Sequence, residues 1–427
     1  MHVLLMCGGD LAEEVCEALE AGGADVTWLR SPTDAEVRAA LGEHRPDVVC
    51  VASREDALPM RIALLVRHLD PDVRIVVTIF DPAMARQVTA TIPNCQVTSV
   101  ADIVAPSLAG PCLDADVVAV RRRGDRVVGL DEQFEEVEIS VPRARRARNL
   151  VEAVLAPHDR SAGLLFYGAI GLVVMLLFEW IGSIIVLEQG AADALYGSTK
   201  SLATVGPNPA VDDGPKWFRV AIVCSMVLTL LSAACFTGGL INRIVDSRLT
   251  GLVGRRAVPR REHVVVVGLG QVGLRLCMLL RECGIPVVAV DTESDGENVG
   301  LARRLKLPVV IGRGANPEVL RRLSLHRARS LAAVTSDDLR NIEAAMAARA
   351  VDPDLRVVLR AGDGDIADET RSLERIGHAL DVHRLGAAYI AGVVLGADAD
   401  AVALRAGHPE LLLGDGRWQP FPLEIAR

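Results

Sequence analysis

Two runs of sequence most restrict what this chain can fold into. From Ser161 to Phe178 no residue is charged, and after the single Glu179 the apolar run resumes to Leu187; a second run, Val220 to Asn242, carries no charge at all. Each is as long as the roughly 20 residues that an α-helix needs to cross about 30 Å of hydrocarbon. Core helices of soluble proteins keep a polar face, so helices apolar on every side for this length are expected in a lipid bilayer. Two crossings return the chain to the side on which it started.

The flanks orient these spans. Arg143, Arg145, Arg146 and Arg148 precede the first, and Arg243, Arg248, Arg255, Arg256, Arg260 and Arg261 follow the second. The connecting loop, 188–216, holds only Lys200 and Lys216 as basic residues. Positive charge stays on the cytoplasmic side, so both flanking regions and both termini are expected in the cytoplasm, with the loop outside. The start, MHVLLMCGGD, has no basic n-region and reads as a cytoplasmic strand rather than a signal peptide. Arginine clusters beside spans are accounted for by topology and anionic lipid. The net charge of −9 argues against a nucleic-acid partner, which needs a dominating basic surface. Nine cysteines without CxxC or Cys/His spacing are expected to be reduced thiols rather than zinc ligands.

Charged residues still make up 24% of the chain, so soluble domains must accompany the spans. At 427 residues there is room for roughly three modules of about 150 residues each. Residues 263–291, HVVVVGLGQVGLRLCMLLRECGIPVVAVD, read as a β-branched strand, a glycine turn, an amphipathic helix and a second strand ending in an acid. Gly268, Gly270 and Gly273 form a GxGxxG, and Asp291 lies 23 residues after Gly268. A lone GxGxxG says little, but one that follows a strand and opens a helix is a dinucleotide-binding fingerprint. The first glycine makes the turn, the second lets backbone approach a pyrophosphate, the third lets helix meet strand, and the acid bonds ribose hydroxyls. The intervening Leu269, Gln271 and Val272 belong to the same cradle. Strands and helices then alternate to about residue 360, as in a doubly wound parallel sheet. No cysteine or histidine is set as nucleophile or base beside this fold, so binding without turnover is expected and an enzyme is not.

The same pattern occurs at the other end. VLLMCGGDLAEEVCEAL (3–19) aligns with VVVVGLGQVGLRLCMLL (264–280) at offset 261, and TDAEVRAALGEHRPDVVCVAS (33–53) with ANPEVLRRLSLHRARSLAAVT (315–335) at offset 282. The 21-residue step means that the first copy lacks the strand PVVIG. Its nucleotide residues are lost: Cys7 stands for Gly268, Ala12 for Gly273, Arg30 for Asp291 and Thr78 for Arg360. The fold is expected to survive there and the site is not.

Two resemblances become specific on these residues. The order span, DALY-x-S-x-x-S-L-x-TVG, span resembles the pore of two-helix potassium channels, matching at Asp193, Tyr196, Leu202, Thr204, Val205 and Gly206. In such pores stacked carbonyls and a threonine hydroxyl replace the ion's water shell. Pro207, Asn208 and Pro209 depart from that family's filter, and Lys200 adds a positive charge to the pore helix. Proline biases Gly206 towards extended backbone, while asparagine at 208 tolerates left-handed geometry as a partial substitute for glycine. Glu179, inside the first span, joins Thr204, Val205, Gly206 and Asn208 as a candidate for the ion pathway, or else pairs with Lys200 or loop backbone. Gly238 and Gly239 serve a hinge or close helix packing.

The C-terminal run resembles the RCK family, the Trk-type NAD-binding domains that gate potassium channels and transporters. The matching residues are Gly268, Gly270, Gly273, Asp291, Gly312, Thr335, Asp338, Asn341 and Arg360, with Arg313 in place of the family's aspartate. The resemblance implies NAD(H) or an adenine nucleotide (ATP or ADP), bound by the C-terminal domain only. It also implies a homo-oligomer, a tetramer around a pathway for monovalent cations.

The expected architecture is thus two α/β Rossmann-like RCK domains flanking an all-α two-helix membrane module. Its parts are a degenerate copy at 1–140, a basic linker at 141–160, a membrane module at 161–245 (helices 161–187 and 217–243 around a loop at 191–210), a linker at 246–262, the nucleotide-binding domain at 263–395 and an extension at 396–427. Two functions remain open: a nucleotide-regulated potassium-like channel subunit with an altered filter, or a non-conducting membrane-anchored nucleotide sensor.

Overall fold

The computed structural model describes all residues except 44, 54, 124–125, 140–159, 204–205, 207, 246–251, 254–260, 363–375 and 423–427. The chain divides into two units, Met1–Ala144 with Leu252–Arg427, and Arg145–Gly251.

In the first unit the N-terminal copy alternates β1 (His2–Cys7), α1 (Asp10–Ala21), β2 (Asp25–Leu29), α2 (Asp34–Glu43), β3 (Val48–Ala52), α3 (Ala57–Leu69), β4 (Arg74–Thr78), α4 (Pro82–Thr91), β5 (Cys95–Thr98) and α5 (Val100–Leu113). Its strands pair in parallel in the order β2-β1-β3-β4-β5. A small antiparallel sheet follows, made of β6 (Ala119–Arg123), β7 (Arg126–Leu130) and β8 (Glu136–Val137). β3 reads VVCVA and is buried at all five positions, as strands covered on both faces must be.

The second unit holds α6 (Arg160–Val186), α7 (Ala191–Leu202), a 3₁₀ turn (Pro209–Asp213) and α8 (Lys216–Val245). The two long helices are long and apolar enough to cross a membrane, with most of their surface exposed. They approach closely because glycine permits it. A Cβ added to Gly239 would lie 2.5 Å from the Leu165 backbone nitrogen, so Gly239 serves packing, while nothing lies within 4 Å of the corresponding point on Gly238.

The C-terminal copy runs β9 (Leu252–Val253), β10 (Val264–Val267), α9 (Gln271–Glu282), β11 (Val287–Asp291), α10 (Glu297–Arg304), β12 (Val309–Ile311), α11 (Pro317–Arg322), β13 (Ser330–Ala333), α12 (Asp338–Val351), β14 (Arg356–Ala361), β15 (His378–Asp381) and α13 (Val382–Val394). A second small sheet, β16 (Ala399–Arg405), β17 (His408–Leu413) and β18 (Trp418–Pro420), forms the extension. The main sheet has the order β15-β14-β13-β10-β11-β12-β9. β9 lies within the stretch expected to be linker, and pairs antiparallel with β12.

Strand order settles the repeat. β2-β1-β3-β4-β5 superposes in order on β11-β10-β13-β14-β15, so the first copy lacks the counterpart of β12, the strand PVVIG, together with β9. The two copies, remote in sequence, share one hydrophobic core: Val3, Leu5, Val15, Leu108 and Cys112 of the first with Leu274, Cys277, Leu385 and Ile390 of the second. They embrace reciprocally, α5 packing on α9 and α13 on α1. Arg74 at the start of β4 donates to the Val393 carbonyl (2.7 Å), and its counterpart Arg356 pairs with Asp114 (3.7 Å), so each arginine reaches the C-terminal end of the other copy's crossing helix. Among the described residues eight cysteines form no disulfide, Cys112 and Cys277 being buried with thiols pushed up to about 12 by burial, and Cys224 and Cys235 exposed on α8.

Arg275 on α9 joins the copies by charge. Its Nε lies 2.8 Å from the Asp102 carboxylate on α5, its Nη2 donates to the Phe80 carbonyl (3.1 Å), and its guanidinium sits 4.9 Å from the Phe80 ring centre. The Arg275 side chain is 15% exposed, so losing its partner leaves a largely buried cation. Asp102→Ala is therefore expected to lower the stability of the α/β unit by about 1 kcal/mol, reduced from a fully buried pair because Asp102 is half exposed. Urea unfolding of the full chain measures it, and an unchanged midpoint would refute the pair's role.

Candidate functional site

The glycine motif sits at the C-terminal ends of β10 and β11. Gly268 has φ +96°, a conformation open to glycine, and a Cβ there would meet the Thr335 nitrogen at 2.8 Å. Leu269 is buried, Gly270 caps α9 with open space around it, and Gln271 and Val272 begin the helix. A Cβ on Gly273 would lie 1.9 Å from the Gly268 carbonyl oxygen, so the third glycine lets the helix touch its own incoming turn. In the first copy the positive φ has moved to Gly9 (+85°), which aligns with Gly270, where φ is −69°.

Asp291 ends β11 facing this turn. Its Oδ2 accepts the Leu269 N–H (2.6 Å) and its Oδ1 the Glu293 N–H (3.0 Å). Each carboxylate oxygen retains a second lone pair, so the group still accepts two hydroxyls. Gly312 and Arg313 follow β12, the Gly312 N–H bonding the Asp291 carbonyl (2.7 Å). Arg313 is exposed and pairs loosely with Glu343 (3.9 Å).

Thr335 and Asn341 fasten the neighbouring strand ends. Asn341 Oδ1 accepts from the Thr335 N–H and hydroxyl, both at 2.8 Å, and its Nδ2 donates to the Arg360 carbonyl (3.1 Å). Asp338 accepts the Gly362 N–H (2.9 Å). His383, buried at the start of α13, has Nδ1 2.7 Å from the Gly362 carbonyl and Nε2 3.4 Å from Arg360 Nη2. A carbonyl only accepts, so His383 Nδ1 donates in this contact.

The glycine turn, Asp291, Thr335, Arg360 and His383 line a cavity of about 1030 Å³. Of the residues expected at the site, Gly268, Leu269, Gly270, Gln271, Val272, Asp291, Gly312, Arg313, Thr335 and Arg360 all reach it, and Gly273 lies beneath the turn. The cavity also has walls that the motif does not include: His383 from the second copy, and Leu11, Ser53, Thr78, Phe80 and Ser99 from the first. The signal for the latter was the repeat itself, since offset 282 pairs Ser53 with Thr335 and Thr78 with Arg360. In the first copy Thr78 and Ser53 bond one another, the Thr78 hydroxyl accepting the Ser53 N–H (2.9 Å) and donating to its carbonyl (3.1 Å).

Residues 264–379 match the TrkA-N domain family. Relatives of the chain include a potassium channel protein of Methanocaldococcus jannaschii (21% identical, covering 45% of this chain and 60% of that protein) and the voltage-gated potassium channel Kch of Escherichia coli (20%, covering 48% and 52%). A chloroplastic K⁺ efflux antiporter of Arabidopsis thaliana is 32% identical over 115 residues, 27% of this chain and 9% of that protein. The chain thus covers less than two thirds of each of these relatives. Among solved structures the GsuK channel aligns over 92% of this chain and 63% of its own, at 16% identity and TM-score 0.52, and the GsuK RCK domain at 15% and 0.50. That likeness concerns fold, and the fold is the Rossmann-like RCK domain.

The candidate ion-pathway residues lie in the second unit, Arg145–Gly251. Thr204 and Val205 fall outside the described residues, as does Pro207. Gly206 has φ +143° instead of the extended backbone expected before proline, so this position requires glycine. Asn208 corrects a second expectation: at φ −62° it is not left-handed, because its side chain has other work. Its Nδ2 donates to Gln189 (2.6 Å), its Oδ1 accepts the Ala210 N–H (3.3 Å), and a Cβ on Gly197 would strike it at 2.5 Å. Glu179 is buried and accepts the Ser225 hydroxyl (2.7 Å), so its partner is on α8 rather than Lys200 or the loop backbone. Lys200 lies 5.8 Å from the Tyr196 ring centre.

Proposed function

We propose that this chain is a subunit of a nucleotide-regulated monovalent cation channel of the potassium type, without enzymatic turnover. The observation that carries the reading is the Gly268–Asp291 cleft, built for a nucleotide, in a chain that also carries two membrane-length helices around a helical loop. The cleft's chemistry fits NAD(H) or an adenine nucleotide: N–H groups at the start of α9 for phosphates, Asp291 for ribose hydroxyls. The bound nucleotide supplies binding free energy, and the chain converts it only through a difference in affinity between two arrangements of the α/β unit. The first copy leads in sequence into α6 and the second follows α8, so both ends of the membrane module are tied to the regulated unit. Two helices cannot enclose a pathway, so the reading requires several subunits, four in the potassium-channel likeness, with both termini cytoplasmic.

Asn208 favours a second reading. Its bonds to Gln189 and Ala210 fix the stretch where a filter's second glycine would stand, which suits a non-conducting sensor that regulates potassium transport through a partner.

Purified full-length protein in liposomes tests both. The first reading expects potassium or sodium flux that changes with NAD(H) or ATP, and no flux under any nucleotide would leave the second. For the cleft, Asp291→Ala is expected to weaken nucleotide binding about tenfold, the loss of one to two charged hydrogen bonds, and to reduce the nucleotide-induced rise in melting temperature. Equal shifts in both proteins would remove the assignment.

A further inference from the structure

The cavity wall contributed by the first copy indicates what kind of nucleotide the site takes. A mononucleotide seated on the glycine turn and Asp291 uses only second-copy groups. Across from them, the wall is made by Phe80 with the hydroxyl residues Ser53, Thr78 and Ser99. Phe80 is held in place: the Arg275 guanidinium lies 4.9 Å from its ring centre and bonds its carbonyl, and Arg275 is in turn fixed by Asp102 at 2.8 Å. An aromatic ring so fixed in a cavity wall is suited to stack a second planar base.

Resting on the nucleotide reading above, we propose that the site takes a dinucleotide rather than a mononucleotide, with Phe80 of the degenerate copy stacking on the ring at the second end. The ligand then touches both copies, and the copy that has lost its own motif acts as the specificity wall of the intact one. This gives the first copy a ligand-contacting role and makes occupancy sensitive to the pairing of the two copies.

Titration calorimetry on the full chain in detergent, with NAD⁺ and ADP as probes, tests this. Phe80→Ala is expected to weaken NAD⁺ about tenfold while leaving ADP within about twofold, the cost of one base–aromatic stack. Phe80→Trp, which keeps a ring, is expected to restore the NAD⁺-to-ADP ratio. A purely structural Phe80 weakens both probes alike, and that result, or no loss for NAD⁺, overturns the proposal. Asp291→Ala separates the two levels. If it weakens both probes while Phe80→Ala changes neither, the cleft stands and the specificity wall falls; if wild-type protein binds neither probe, both fall together.

Discussion

Gly273→Ala is expected to abolish nucleotide binding and to destabilise the α/β unit by about 3 kcal/mol, the upper range for forcing a methyl into filled space. The added carbon would sit 1.9 Å from the Gly268 carbonyl oxygen and 3.0 Å from its carbon. The turn has little room to retreat, because even a Cβ on Gly268 would meet the Thr335 nitrogen at 2.8 Å and the turn depends on φ +96°. Either α9 moves off the sheet or the turn opens, and both displace the N–H groups at the helix start. Urea unfolding and calorimetry with NAD⁺ on the same variant measure the two effects. Wild-type affinity would show that the helix–turn contact does not define the cleft.

The second large effect is expected in the membrane unit. Gly168→Leu places a Cβ 2.5 Å from the Phe236 nitrogen and 2.8 Å from its Cα, against backbone that no side-chain rotation clears. Because lipid is as apolar as leucine, close packing rather than hydrophobic burial holds such helices together. The substitution is expected to separate α6 from α8, costing about 3 kcal/mol and lowering the melting temperature of the detergent-purified chain, with α/β unfolding in urea unchanged. Gly238→Leu, where nothing lies within 4 Å, is the control. Equal behaviour of the two variants would mean that the helices do not meet at Gly168.

Together these variants separate the two parts on which the proposed function depends. Flux that persists in Gly273→Ala but no longer responds to nucleotide would place regulation in the cleft and conduction in the membrane unit. A cleft that binds normally in Gly168→Leu would show that nucleotide recognition does not need a folded membrane unit.

Much of this protein was legible in one dimension because the relevant signals are local. The apolar runs led to helices expected at 161–187 and 217–243, within about two residues of the observed Arg160–Val186 and Lys216–Val245, because an unbroken apolar stretch is a local signal. Gly268, Gly270, Gly273 and Asp291 marked a strand–turn–helix–strand, since the positive φ of Gly268 and the contact of Gly273 with the Gly268 carbonyl are demands met within a few residues. The 21-residue step in the repeat located the missing strand, because a parallel sheet gains or loses a strand together with its connection.

What only the tertiary structure decided are the contacts between segments far apart in the chain. That Leu108 and Leu274 share one core, that Arg275 reaches Asp102 and Phe80, and that Glu179 bonds Ser225 depend on how elements close on one another, which no spacing encodes. The role of Asn208 turned on Gln189 and Gly197 beside it, packing that overrode the preference read from its residue type. The cleft itself was half visible: the wall carrying the glycine motif is a sequence property, and the wall carrying Phe80 and Ser99 exists only because two copies, one before and one after the two long helices in the chain, fold into one body.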